Sequence, residues 1–298
     1  MGAYGPFLFF IISGFLAAKS LCDKEPHVLT YYKKRALTIL PLYYAVIILV
    51  FLTDALEVFS HFITIPQDSY HLAWLRYIFL LNGVVDADVM YWANLAGTWT
   101  IHVFAFFYLI APFAFRPINS LGKAFIAWCL CAVGYALLNA LILKPNGYRS
   151  TACENLHVFF LGGLLYWTTR QRREIVTALL FGVLALLMLA LRDIKWVYLM
   201  LFSLITVLCV SLEEKIRPSV MTRRIISYVD AHSYSLYLMH TAFIYCVIRR
   251  FLINNAPWEI GIILILGTIV FTWIGHNLIE VPIRRLVGNR YVPQEGSL

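Results

Sequence analysis

Nine long apolar segments dominate the sequence and decide what the chain can fold into. A helix that spans the hydrocarbon core of a bilayer needs about 20 mostly apolar residues, within a range of about 17–25. Charged residues are only 13% of the chain and hydrophobic residues 61%, whereas a soluble domain carries about a quarter charged residues. We therefore predict an all-α, polytopic transmembrane helix bundle of about nine spans. The segments are 4–21, 37–59, 98–116, 122–144, 154–169, 174–192, 195–212, 232–254 and 258–280.

A tenth apolar run, 74–85, has only about a dozen residues and is too short to cross. We expect it to be re-entrant or interfacial, covered by protein at that depth. With nine spans and the 19–35 loop in the cytoplasm, seventeen of the 24 Lys and Arg residues fall on the cytoplasmic side. A tenth span would move Arg170, Arg172 and Arg173 outside, against the positive-inside tendency. The sequence thus predicts an outer N-terminus and a cytoplasmic C-terminus.

The net charge of +8 does not indicate nucleic acid, because the basic residues lie in short clusters between apolar runs. The six cysteines show no paired metal or redox spacing. We predict a protein of the lipid bilayer with no nucleic-acid partner, no metal site and no bound cofactor.

Polar side chains inside a span are costly, so each is a functional hypothesis. Ser233, Tyr237 and His240 follow one another at i, i+4 and i+7, which places them on one helix face. His240 is either a structural histidine satisfied by a neighbouring helix or a group that transfers protons.

The last span carries Trp273, Asn277 and Glu280 on one stripe, with His276 beside it. Glu280 is followed by Arg284. The favoured interpretation is an interfacial Glu–Arg pair that ends the helix, and the alternative is a functional carboxylate.

Two further positions lie near the predicted outer face. His102 follows the start of the span 98–116, and Glu154 and His157 open the span 154–169. For both, an interfacial role near the aromatic belt is favoured over a functional one.

A basic run, Lys33, Lys34 and Arg35, precedes the second span in the predicted cytoplasmic loop. Such clusters usually set topology, but they also suit the phosphates of a nucleotide-like donor. No glycine-rich phosphate loop is present for that purpose.

Four motifs in order resemble the membrane-bound acyltransferase-3 family, bacterial O-acyltransferases that modify surface polysaccharides. Phe9-Phe-Ile-Ile-Ser-Gly-Phe15 with the later basic run and Leu40-Pro41 is similar to its second helix and first cytoplasmic loop. Gly97-Thr-Trp-Thr-Ile101 with Phe107-Tyr-Leu-Ile-Ala-Pro112 is similar to its tryptophan helix. Ser233-Tyr-Ser-Leu-Tyr-Leu-Met-His240 and Ile279-Glu-Val-Pro282 are similar to its last two motifs.

The resemblance implies transfer of an acyl group, commonly acetyl from acetyl-CoA, to a hydroxyl of a cell-surface polysaccharide or its lipid-linked precursor. It implies a multi-pass protein of the bacterial cytoplasmic membrane, with one domain over 1–286 and a short cytoplasmic tail over 287–298. The basic run Lys33–Arg35 would bind the CoA phosphates, and His240 is the candidate catalytic residue. The positions expected to line the channel or support it are Ser13, Gly14, Trp99, His102, Tyr108, Ser233, Tyr237, Glu280 and Arg284.

Three departures from the family pattern leave alternatives open. The family's first helix, with an Arg and a His thought to be the essential base, does not precede Met1 in this sequence. A second Arg of the basic motif is replaced by Thr38, and a Glu of the tryptophan helix by Phe104. The chain is then N-terminally truncated, has a misannotated start, or is a divergent member. A transporter or flippase for a glycan or lipid substrate and a catalytically silent homologue are the alternative functions.

Overall fold

The computed structural model describes residues 5–24, 26–55, 75–81, 84–86, 99–146, 148–190, 192, 194–213, 219–243 and 257–286. Within these ranges the chain is helical almost throughout, so the predicted all-α bundle is confirmed. The helices are α1 Gly5–Asp23, α2 Val28–Ala55, α3 Trp99–Phe115, α4 Leu121–Leu138, α5 Thr151–Arg170, α6 Glu174–Ala190, α7 Ile194–Glu213, α8 Val220–Phe243, α9 Pro257–Ile274 and α10 Val281–Leu286. Two π-helical segments, Asn139–Leu143 and Gly275–Glu280, continue α4 and α9.

Apolar side chains cover the outside of several helices, as expected for contact with lipid. α4 exposes Phe125, Ile126, Leu130 and Val133, a surface that water would disfavour. Within the described residues, four helical stretches are long and apolar enough to cross a membrane: Gly5–Asp23, Leu121–Asn146, Ile194–Leu212 and Gly261–Ile283. The protein is a membrane protein built as a helix bundle.

Each of the nine predicted segments contains helix over its described residues, but several predicted boundaries are wrong. α2 begins at Val28 rather than 37, and α8 begins at Val220 rather than 232. The last helix continues past 280 to Leu286. An apolar run measures how much helix lies in hydrocarbon, whereas backbone hydrogen bonds extend a helix beyond that depth. Residues 244–254 of the predicted eighth span lie outside the described residues.

The chain divides into two units. The first contains Met1–Tyr31, Gly83–Asp88 and His102–Arg217, and the second contains Tyr32–Asn82, Val89–Ile101 and Pro218–Leu298. The single domain predicted over 1–286 stays a prediction, and the tail predicted over 287–298 lies outside the described residues.

In the first unit, two glycines bring α1 and α5 into backbone contact. A side chain at Gly14 would overlap the backbone of Phe159, and one at Gly162 would overlap the backbone of Ile11. Close approach through small residues is a common way for membrane helices to pack, because lipid supplies little hydrophobic force between them.

α1, α3 and α5 run in the same direction in the first unit. At one end, Asp23 of α1 pairs with Arg170 of α5, and the Cys22 thiol lies 3.6 Å from the Phe115 carbonyl of α3. These are the C-terminal ends of all three helices. A shared direction of α1 and α3 is what the predicted topology, with one crossing between them, requires.

A short β-ladder lies among the helices of the described residues. β1, Val84–Asp86, pairs antiparallel with β2, Tyr148–Ser150. β2 leads directly into α5, where the Ser150 hydroxyl accepts a hydrogen bond from the Cys153 amide and caps the helix.

The second unit has its own core, made by α2, α8, the start of α3 and the 75–81 segment. Its buried residues are Leu42, Tyr43, Val46, Ile47, Tyr77, Ile101, Leu238 and Met239. Tyr43 donates a hydrogen bond to the Tyr77 carbonyl at 2.7 Å, and Tyr44 donates to Ile78 at 2.9 Å. These bonds hold the 75–81 segment against the middle of α2.

Candidate active site

In the second unit, α8 carries two of the predicted site residues in contact with each other. The rings of Tyr237 and His240 lie 5.8 Å apart. The Tyr237 hydroxyl also accepts a hydrogen bond from Thr100 at 3.0 Å, at the start of α3. His240 places Nδ1 2.9 Å from the Leu236 carbonyl of its own helix, so that nitrogen carries the proton in this contact.

Ser233 shares the α8 face with Tyr237 but bonds elsewhere. Its hydroxyl donates to the Asp230 carbonyl at 2.8 Å, a bond within its own helix. Trp99 begins α3 directly before Thr100 and is half-buried. The structure thus brings Tyr237 and His240 together, while Ser233 is satisfied by the α8 backbone.

A buried histidine–carboxylate pair lies on the last helix. Glu280 Oε2 is 3.0 Å from His276 Nδ1, and the residues are 3% and 8% exposed. The ring of His232, from α8, lies against the His276 ring with centroids 3.9 Å apart and the ring planes tilted by 37°. Both members of the pair lie in the π-helical segment Gly275–Glu280, a geometry that is frequent at functional sites.

This pair bears on the interpretation of Glu280 as half of an interfacial Glu–Arg pair that ends the helix, of which the structure contradicts the helix end and leaves the rest a prediction. Glu280 is buried and the helix continues to Leu286. The side chain of Arg284 lies outside the described residues. Sequence reasoning noted His276 without assigning it a role, although its i,i+4 spacing from Glu280 predicts contact. It missed His232, which lies at the predicted edge of an apolar run.

The basic residues Lys33, Lys34 and Arg35 lie in the first turns of α2, not in a loop as predicted. Lys33 and Lys34 are exposed and Arg35 is half-buried. One turn further along α2, the Ile39 carbonyl accepts a hydrogen bond from Tyr234 of α8 at 2.7 Å. The basic turn therefore lies at the end of the second unit that also holds His232.

The other predicted residues belong to the first unit. Gly14 forms the α1–α5 contact, and Ser13 precedes it on α1. His102 is 3% exposed, and Tyr108 stacks on Phe104 with centroids 5.9 Å apart.

Phe104, which stands where the resemblance leads us to expect a Glu, is packed among aromatic rings. Its ring lies 5.1 Å from Phe10 and 5.6 Å from Phe159. A carboxylate at this position would face the rings of Phe10 and Phe159, neither of which offers a hydrogen-bond donor. The phenylalanine at position 104 therefore suits the aromatic side chains around it.

Charged contacts in the first unit lie at the helix ends. Lys195 binds Glu154 at 3.1 Å at the start of α5, where His157 lies against the Trp196 ring. Glu154 is thus paired with a cation from α7, a partner that the sequence did not reveal.

At the other end of α5, Tyr166 donates to Asp23 at 2.5 Å and accepts from Arg170 at 2.7 Å. The hydrogen bond to Tyr166, with a smaller contribution from Asp23, raises the pKa of the exposed Arg170 guanidinium. Within the described residues, no group of three His, Cys, Asp or Glu side chains could hold a metal ion.

Comparison with known proteins identifies the family. The sequence model of the acyltransferase-3 family, described as an acyltransferase domain, matches residues 2–276 of 298. The chain belongs to the acyltransferase-3 family. The resemblance predicted from four motifs is thereby confirmed, and membership of this acyltransferase family supports acyl transfer as the general role of the chain. No curated protein and no solved structure matches it.

Proposed function

We propose that this chain is a membrane O-acyltransferase that moves an acyl group, acetyl in the simplest case, from acyl-CoA to a hydroxyl of a cell-surface polysaccharide or its lipid-linked precursor. The observation that supports the proposal is the series of hydroxyl, imidazole and carboxylate groups in the second unit. Ionisable groups inside a membrane protein are costly and mark functional sites by default. Acyl transfer needs such groups, because a hydroxyl must lose a proton and the developing oxyanion needs donors.

The donor end of the site is supported by the position of the basic turn of α2. α2 and α8 run parallel, since Ile39 meets Tyr234, and Leu42 and Met239 both pack on Gly275. The turn Lys33–Arg35 lies at the N-terminal end of this helix pair, which the charge pattern assigns to the cytoplasm. Acyl-CoA is made in the cytoplasm, and its phosphates suit Lys and Arg.

The acceptor side is supported by the polar groups further along α8. His240 lies eight residues beyond His232, which corresponds to about 12 Å of helix. Trp99, Thr100 and Tyr237 offer an aromatic ring and hydroxyl groups, which bind sugars by stacking and hydrogen bonds. In this proposal the acceptor hydroxyl approaches through these residues from the outer side in the bacterial cytoplasmic membrane.

The test uses the strain from which the gene comes, with the gene deleted and then restored. Inverted membrane vesicles receive radiolabelled acetyl-CoA, and alkali-labile label is counted in the envelope glycan fraction. Label that depends on the restored gene supports the proposal. Vesicles that transport glycan without incorporating label would favour the transporter alternative, and no gene-dependent change would favour a silent homologue.

A paired variant tests the donor end. Replacing Lys33 and Lys34 with Ala should raise the acetyl-CoA concentration for half-maximal rate roughly five- to thirtyfold, because each exposed cation contributes about 0.5–1 kcal/mol. The control replaces Lys19 and Lys24, two exposed cations predicted on the same side. Equal behaviour of the two variants would contradict the donor assignment.

A further inference from the structure

The His276–Glu280 pair has the arrangement of a general base held by a carboxylate. With Glu280 Oε2 3.0 Å from Nδ1, the imidazole donates its Nδ1 proton to the carboxylate. The second nitrogen, Nε2, then carries the lone pair that accepts a proton, as in triads where a buried acid orients a histidine. When the imidazole becomes charged, the adjacent carboxylate stabilises it.

Burial makes this pair expensive as a purely structural element. Glu280 is 3% exposed and His276 is 8% exposed. Taking a carboxylate out of water costs several kcal/mol even when it is paired, and apolar residues of similar size would fill the space at lower cost. A catalytic role for the pair would explain why a carboxylate and an imidazole are buried in this position.

Further polar groups lie on the helix faces that carry the pair and its neighbour. His232 lies against His276, and Ser235 follows one turn later on the α8 stripe that ends at Met239, which packs on Gly275. Ser235 is fully buried, and among the described residues no hydrogen-bond partner is found for its hydroxyl. The same holds for Thr272, one turn before His276. Buried hydroxyl groups of this kind are expected where a polar substrate binds.

We propose that His276, oriented by Glu280, is the general base that activates the acceptor hydroxyl, a role that rests on the proposed function. The proton of the acceptor hydroxyl passes to His276 Nε2 while the hydroxyl oxygen attacks the thioester carbonyl carbon. The carbon–sulfur bond then breaks, and the leaving thiolate takes the proton from the imidazolium. The products are an ester and free CoA thiol, and His276 returns to its neutral form.

The same structure argues against His240 as the base. Its Nδ1 contacts only a backbone carbonyl, and among the described residues no carboxylate is hydrogen-bonded to it. Among the described residues, an imidazolium at His240 has no counterpart of the stabilisation that Glu280 gives His276. In this proposal His240 belongs to the acceptor path with Tyr237, and the catalytic role that the sequence predicts for it stays a prediction.

The experiment compares four variants of the full chain in the vesicle assay. His276→Gln should lower the maximal rate roughly 10²–10⁴-fold, as expected for loss of a general base. Glu280→Gln keeps the shape of the side chain but removes its charge, and it should lower the maximal rate by at least roughly 10²-fold. Glu280→Asp keeps the charge and should retain part of the maximal rate. The acetyl-CoA concentration for half-maximal rate should stay within about threefold in all cases, because donor binding is not altered.

Asn277→Ala is the matched control, because its amide donates a hydrogen bond to the Trp273 carbonyl of its own helix and to no other group among the described residues. Thermal stability of each purified variant in detergent separates chemistry from folding. The proposal is overturned if His276→Gln keeps its rate, if Glu280→Gln matches wild type, or if rate losses merely follow losses of stability. If wild-type membranes show no gene-dependent transfer, the proposed function itself is overturned. If the wild type and the His276 and Glu280 variants are all active, only the role proposed for His276 is overturned.

Discussion

The α1–α5 contact offers the sharpest test of the fold, through Gly14→Ala and Gly162→Ala. A Cβ at Gly14 would lie 2.8 Å from the Phe159 Cα, whereas carbon atoms pack best at about 3.5–4.0 Å. The helices would have to separate by roughly 1 Å, and a gap of about 0.5–1 Å forfeits a quarter to a half of the attraction at each contact. Overpacking of this kind costs about 1–3 kcal/mol. The ratio of folded to unfolded protein should fall roughly 5- to 150-fold.

The measurement is the unfolding of purified protein in mixed micelles titrated with sodium dodecyl sulfate, monitored by tryptophan fluorescence. Gly134→Ala in α4 is the control, because among the described residues no atom outside the local helix backbone lies within 4 Å of the Cβ that it would add. It should be neutral or slightly stabilising, since Ala favours helix over Gly by about 1 kcal/mol. If Gly14→Ala and Gly162→Ala unfold at the same detergent fraction as Gly134→Ala, the close contact of α1 with α5 is wrong.

Two further predictions concern the first unit. Phe104→Glu should destabilise the protein by about 2–4 kcal/mol without raising activity, because it buries a carboxylate among aromatic rings, and unfolding in detergent measures it; a stable, more active variant would contradict this account of Phe104. In a cysteine-free background, Asn146→Cys should react with a membrane-impermeant maleimide in intact cells and Arg173→Cys only after permeabilisation; the reverse pattern would contradict the predicted orientation.

Helix existence could be predicted from the sequence because apolar runs of spanning length are a strong signal that is rare outside membranes. The predicted orientation and the expectation that 74–85 does not cross stay predictions, which rest on the basic cluster at Arg170–Arg173. The shared direction of α1 and α3 is compatible with them. Helix ends were predicted poorly at Val28 and Val220, because hydropathy falls where the helix leaves hydrocarbon while its hydrogen bonds continue.

The candidate site was predicted only in part, because burial depends on which helices cover a residue. Spacing alone places His276 and Glu280 on one face, but nothing in the local sequence shows that the pair is buried. The neighbouring arginines favoured an interfacial position for Glu280, and the covering groups, among them His232, come from α8, about forty residues away. A contact between such distant segments has no signal in one sequence.

The distribution of polar groups decides which unit carries the chemistry. In the first unit the ion pairs Glu154–Lys195 and Asp23–Arg170 lie at helix ends, where water is within reach. Its interior combines aromatic rings with the buried imidazoles of His102 and His157, and Phe104 occupies the position at which the resemblance implies a carboxylate. In the second unit a carboxylate and an imidazole are buried together. Removing a charged group from water costs free energy, so a buried ionisable pair inside a membrane protein is a candidate functional site. The proton transfer that we propose therefore belongs to the second unit.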